Sequence, residues 1–110
     1  MEDNAQLRGT LKTALELNGL EVITASNGVD ALKQYATHFG DFSVILTDNE
    51  MPQMNGLEFV RSVREIGFKN RIFVMSGNLD AKGVMAYQQH VISGFFYKPF
   101  DIKLLAKMLL

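Results

Sequence analysis

Cysteine is absent from this chain of 110 residues, so disulfides, thiolate nucleophiles and cysteine-held metal centres are excluded. An excess of one charge is also missing: 11 basic residues stand against 12 acidic ones, for a formal net charge of −1. A surface for nucleic acid or anionic lipid needs clustered lysine and arginine, and the basic residues here are spread along the chain. No apolar run approaches the roughly 18 residues of a membrane span. The opening Met1-Glu2-Asp3-Asn4 is acidic where a secretory leader carries positive charge, which predicts a cytoplasmic protein. The glycine-rich dinucleotide loop, the P-loop lysine and the nucleophile elbow of hydrolases do not occur, so those enzyme classes lack their defining contacts. His38 and His90 have no carboxylate or serine pattern around them that would make either a catalytic base. Proline is scarce, with two residues only.

What remains is the composition of an ordinary globular protein, 47% hydrophobic and 21% charged. It suits one domain over residues 1–110, with no linker, repeat or low-complexity tract. Four short β-type runs occur: Leu20-Glu21-Val22-Ile23-Thr24-Ala25, Ser43-Val44-Ile45-Leu46-Thr47, Arg71-Ile72-Phe73-Val74-Met75 and Gly94-Phe95-Phe96-Tyr97. Two are almost continuously apolar, as in parallel strands covered on both faces. Amphipathic helix patterns lie between and around them. Their stripes are Leu7, Leu11 and Leu15; Val29, Leu32 and Ala36; Leu57, Val60 and Val63; and Ile102, Leu105 and Leu109. Residues 80–91 read as a further helix, weakened by Gly83 and with an irregular stripe through Met85, Ala86 and Tyr87. Asn27-Gly28 reads as a turn. The order αβαβαβαβα predicts an α/β fold with a doubly wound parallel sheet.

In such sheets the chemistry lies beyond the carboxyl ends of the strands. Asp48 follows the second run, Ser76 and Gly77 the third, and Lys98-Pro99-Phe100 the fourth. A carboxylate, a hydroxyl and an ammonium thus reach one edge. Glu2 and Asp3, ahead of the first helix, would join them if a strand preceded them. Clustered carboxylates suit a hard cation with oxygen ligands, and Mg²⁺ is the natural occupant. A carboxylate oxygen can attack phosphorus when the charge of the transferring group is offset, a task for Mg²⁺ and for Lys98 as a point charge. Alone, Asp48 reads as a cap or turn residue, Ser76 as a turn serine, Lys98 as a surface lysine, and Glu2 and Asp3 as helix N-terminal acids.

The motifs change that balance. Leu46-Thr47-Asp48-Asn49-Glu50-Met51-Pro52-Gln53-Met54-Asn55-Gly56 resembles the phosphoacceptor loop of response-regulator receiver domains, L-x-D-x-x-M-P-x-M-x-G. Val74-Met75-Ser76-Gly77 resembles their hydroxyl-bearing strand end, Gly94-Phe95-Phe96-Tyr97-Lys98-Pro99-Phe100 their lysine motif, and Glu2-Asp3 their acidic pair. Four motifs in order cover nearly the whole chain. The resemblance implies a flavodoxin-like receiver fold and a phosphoacceptor switch of a two-component phosphorelay, not an enzyme in the ordinary sense. It implies Asp48 as the phosphoacceptor, with Glu2, Asp3, Asp48 and the main-chain carbonyl of Glu50 around Mg²⁺. Ser76 and Lys98 would bind the phosphoryl group, with Ser76 and Phe95 at the switch positions. The bond before Pro99 would be cis, and Gly56 would free the backbone before the third helix. The implied partner is a histidine kinase or phosphotransfer protein.

One departure from that family shapes the expectations. Receivers begin with an apolar strand just before the acidic pair, whereas here Met1 stands in its last position, and the last helix is short. In the sheet order 2-1-3-4-5 the missing strand is central. Buried strand edges left without partners cost about 1–3 kcal/mol per group. Two repairs are open: closure into a four-stranded sheet, or a homodimer through altered or exchanged strand pairing. The dimer is expected, because it keeps Leu7, Leu11 and Leu15 buried. A receiver-like interaction module with impaired phosphorylation and weak Mg²⁺ binding is the alternative function.

Overall fold

The structure is a computed structural model that describes residues 4–38, 41–50 and 54–109. Helix starts follow from short polar side chains that satisfy the first free amides, each contributing about 1 kcal/mol. Asn4 Oδ1 accepts the amide of Leu7 at 3.1 Å and starts α1 (Ala5–Leu17). Asn27 Oδ1 accepts the amide of Asp30 at 2.8 Å and starts α2 (Gly28–Thr37), so Asn27-Gly28 opens a helix rather than a plain turn. Asn55 and Glu58 form a reciprocal capping box at α3 (Gly56–Glu65). Asp80 caps α4 (Ala81–Gln88) through the amide of Gly83 at 2.8 Å, and α5 (Ile102–Leu109) closes the series.

Among the described residues the sheet has three parallel strands, β1 (Val44–Asp48), β2 (Arg71–Ser76) and β3 (Gly94–Tyr97), in that order. The register sets Asp48 beside Met75 and Ser76 beside Tyr97, which brings the ends of all three strands to one edge. Alternation divides the core. Ile45, Ile72 and Val74 face one side, with Ala31, Phe59, Val60, Val63 and Tyr87 from α2, α3 and α4. Phe73, Met75 and Phe96 face the other, with Leu11, Leu15, Leu105 and Leu109 from α1 and α5. Helices therefore cover both faces, and the doubly wound parallel architecture is as expected.

Two expectations need correction. Residues 20–25 are not a paired strand. Their side chains still alternate, since Leu20 and Val22 join the α1/α5 core while Ala25 joins the other. However, a cleft of about 370 Å³ separates them from Val44 on β1. A ladder needs its neighbour within about 4.8 Å, so closure into a four-stranded sheet does not occur. The α2 stripe is also displaced: Ala31 is buried and Leu32 and Tyr35 pack beside it, whereas Val29 and Ala36 face solvent. Edge-to-face contact of Tyr35 with Phe68, at 5.9 Å between centroids, rotates the helix toward its aromatic side.

The connection into β3 is held by one side chain. Arg64, near the end of α3, donates to the main-chain carbonyls of Phe68, Asn70, His90 and Val91 at 2.8–2.9 Å. Val91 takes the left-handed backbone conformation, φ 58°, which a β-branched residue rarely adopts.

Candidate functional site

Asp48 ends β1 as a buried carboxylate whose two oxygens are held differently. Oδ1 accepts the amide of Glu50 at 3.2 Å, and Oδ2 accepts the ammonium of Lys98 at 2.8 Å. Thr47, fully buried beside it, turns its hydroxyl onto the Asp48 carbonyl at 3.0 Å. The main chain then crosses to β2, where the Asn49 amide reaches the Met75 carbonyl at 2.9 Å. This is why the carboxylate stands at the rim and does not run on into the sheet.

Ser76 ends β2 and is buried; its Oγ accepts the amide of Asn78 at 3.1 Å. Its carbonyl accepts the amide of Lys98 at 2.8 Å, so the lysine is positioned by β2 as well as by β3. The Lys98–Pro99 bond is cis, as the resemblance implied. The Lys98 side chain is 30% exposed and that of Asp48 only 5%, so the ion pair lies at the mouth of a buried acid. Gly56 does something other than expected. Its φ is not in the left-handed region; instead α3 starts so close that a Cβ there would overlap the Asp48 carbonyl and the Tyr87 hydroxyl. Space, and not backbone freedom, requires glycine.

Of the predicted residues, the structure brings Asp48, Lys98 and the Glu50 main chain into contact and sets Ser76 on the neighbouring strand end. The Glu50 side chain is exposed. Glu2 and Asp3 lie outside the described residues. Phe95 is half-buried and meets the ring of Tyr87 edge-on at 5.9 Å. Sequence reasoning missed Tyr87 and Asn49. The Tyr87 hydroxyl donates to Asn49 Oδ1 at 2.5 Å, and burial, reinforced by the negative charge of Asp48, pushes its phenol well above the ordinary tyrosine range. The irregular stripe of α4 was the only signal for it.

The donor set suits Mg²⁺. Asp48 offers a carboxylate and Glu50 a main-chain carbonyl, all oxygen, and Mg²⁺ commonly uses one or two carboxylates while keeping several waters. Among the described residues no group of three or more acidic, histidine or cysteine side chains forms a metal cage.

The family profile described as "Response regulator receiver domain" matches residues 1–110. The chain is 33% identical over 99% of its length to the peroxide stress-activated histidine kinase mak3 of Schizosaccharomyces pombe, but covers 5% of that protein. It is 31% identical to the chemotaxis protein CheY of Bacillus subtilis, covering 92% of this chain and 83% of that one. Among solved structures, Vibrio cholerae chemotaxis protein CheY4 superposes with a TM-score of 0.89 at 30% identity, over 98% of this chain and 90% of the other. Against Escherichia coli NtrC the chain spans 21% of the relative's length, so it is similar both to free-standing proteins and to small parts of long ones.

Proposed function

Because this chain belongs to the response regulator receiver domain family, we propose that it is the phosphoacceptor of a two-component phosphorelay, with Asp48 as the residue that takes the phosphoryl group. The observation that carries this reading is the buried Asp48 carboxylate held at 2.8 Å by the Lys98 ammonium, one strand from Ser76. In the transfer, a carboxylate oxygen of Asp48 bonds to phosphorus as the P–N bond of a phosphohistidine breaks. The freed imidazole takes up a proton. Lys98 moves from carboxylate to phosphoryl oxygen, where its charge is more valuable because the group is doubly negative. The Ser76 hydroxyl donates to another phosphoryl oxygen, releasing its contact with Asn78, and Phe95 follows it inward. Asp48, the Glu50 carbonyl, Glu2 and Asp3 would hold Mg²⁺, which would supply positive charge against the transferring group.

The partner we propose is a histidine kinase or phosphotransfer protein, in the cytoplasm, and the chain acts there as substrate and switch and not as a classical enzyme. Among the described residues no helix is long and apolar enough to cross a membrane. The cleft between residues 20–25 and Val44 supports the homodimer expected from sequence, in which a strand of a second copy fills it. Sedimentation over a dilution series should then show a concentration-dependent mass; a constant monomer mass contradicts the dimer.

Titration with beryllofluoride and Mg²⁺, a mimic of the phosphoryl group, tests the main reading. A Mg²⁺-dependent spectral change in the wild type that is absent from Asp48→Asn supports it. No change in either protein leaves the phosphorylation-impaired interaction module, which the assembled Asp48–Lys98 pair does not favour.

A further inference from the structure

Helix α4 hangs on one residue. Of its eight positions only Tyr87 is buried, at 1% exposure, while Met85 on the outer side is 65% exposed. A helix with a single deep anchor follows that anchor as a body, because little else resists its displacement. Tyr87 in turn touches three separate parts of the site. Its hydroxyl donates to Asn49 Oδ1 at 2.5 Å, it lies against the first residue of α3 at Gly56, and its ring meets Phe95 of β3 at 5.9 Å.

Asn49 is bonded directly to Asp48 in the chain, and its main chain is fixed on both sides. Its amide reaches Met75 at 2.9 Å and its carbonyl accepts the amide of Gly56 at 3.1 Å. Only the side chain remains as a lever, and that lever ends on the Tyr87 hydroxyl. The arrangement is tight, since a methyl group at Gly56 would already overlap the same hydroxyl. A tightly packed contact of this kind responds to a shift of the Asp48 loop by switching partner or position, not by stretching.

We infer that Tyr87 is a positioning residue that carries the phosphorylation state of Asp48 to α4 through the Asn49 side chain, in parallel with any signal through Ser76 and Phe95. The inference rests on the phosphoacceptor reading of Asp48. When the Asp48 loop rearranges around a phosphoryl group, the Asn49 amide moves, the tyrosine hydroxyl follows or releases it, and α4 turns about its anchor. The surface that changes is the exposed side of α4 around Met85, which is therefore the face offered differently to a partner protein in the two states.

The test uses amide hydrogen exchange on the full chain, with and without saturating Mg²⁺ and beryllofluoride, in wild type, Tyr87→Phe and Asn49→Ala. Tyr87→Phe keeps the ring and removes only the hydroxyl; Asn49→Ala cuts the same bond from the other end, so one misfolded variant does not end the test. In the wild type, exchange within Ala81–Gln88 is expected to change by on the order of fivefold. In both variants that response should be clearly reduced while beryllofluoride affinity and protection of the Asp48 loop persist, a split that mere loss of packing does not produce. An unchanged α4 response in either folded variant overturns the relay and leaves the phosphoacceptor reading standing. No exchange response anywhere in the wild type overturns the phosphoacceptor reading, and the relay with it.

Discussion

The Lys98 ammonium lies 2.8 Å from Oδ2 of Asp48, although 50 residues of chain separate the two. Such a bond exists only because three parallel strands end at one edge and the Ser76 carbonyl holds the Lys98 amide. Lys98→Ala leaves a 5%-exposed carboxylate without its cation. The lysine is partly solvated, so the loss is smaller than for a fully buried pair: about 1–3 kcal/mol. Urea unfolding should show it as a lower midpoint with unchanged slope. Beryllofluoride binding should weaken further still if Lys98 binds the phosphoryl group as proposed.

Gly56→Ala forces a methyl group onto the Asp48 carbonyl and the Tyr87 hydroxyl. Both neighbours are held, one by the strand and one by its bond to Asn49, so the cost is about 1–3 kcal/mol. Gly9→Ala is the matched control. Gly9 sits inside α1 with nothing within 4 Å of a new Cβ, and alanine there should stabilise by about 0.5–1 kcal/mol. Opposite shifts of the thermal midpoint are expected for the two variants.

Val91 offers a stabilising change. It is 77% exposed at φ 58°, so its side chain contributes little burial while its backbone pays the left-handed penalty of about 1–2 kcal/mol. Val91→Gly should raise stability by about 0.5–1 kcal/mol after glycine's added unfolded-state entropy is counted. The Arg64 guanidinium donates to the main-chain carbonyl of residue 91, so that bond persists. A lower melting temperature for Val91→Gly would falsify this assignment.

Tyr87 predicts an alkaline limit to stability. Its phenol is raised in the folded protein, chiefly by burial and then by Asp48. Below a pH of about 10, folded and unfolded chains both keep the proton, and Tyr87 adds no pH dependence. Above that, only the unfolded chain releases it, so stability falls as pH rises. The slope of unfolding free energy against pH should be shallower above about pH 10 in Tyr87→Phe than in the wild type. Equal slopes would show that the phenol ionises in place.

Most of the site was legible because it is written in local motifs. Asp48, Ser76 and Lys98 each end a short apolar run, and parallel strands must bring such ends together. The cis bond before Pro99 was implied by the family resemblance, and the two-faced core followed from the apolar strands and the helix stripes. What could not be read depends on distance across the fold. Residues 20–25 have the composition of a strand, but a strand is defined by its neighbour, and a cleft stands where that neighbour would pair. The face of α2 was misjudged because Tyr35 and Ala31 outweigh Val29 only once Phe68 is known to lie opposite. Gly56 was read as a matter of backbone freedom; its constraint is space, set by the Asp48 carbonyl of its own motif and by Tyr87, 31 positions along the chain in another helix. The same holds for the bond between Tyr87 and Asn49.

Incubation with a small-molecule phosphodonor and Mg²⁺, followed by intact-mass and peptide mapping, tests the central claim most directly. The wild type should gain one phosphoryl group on the peptide containing Asp48, labile in the manner of an acyl phosphate, and Asp48→Asn should gain none. Full labelling of Asp48→Asn, or a label on any other residue of the wild type, would contradict Asp48 as the phosphoacceptor.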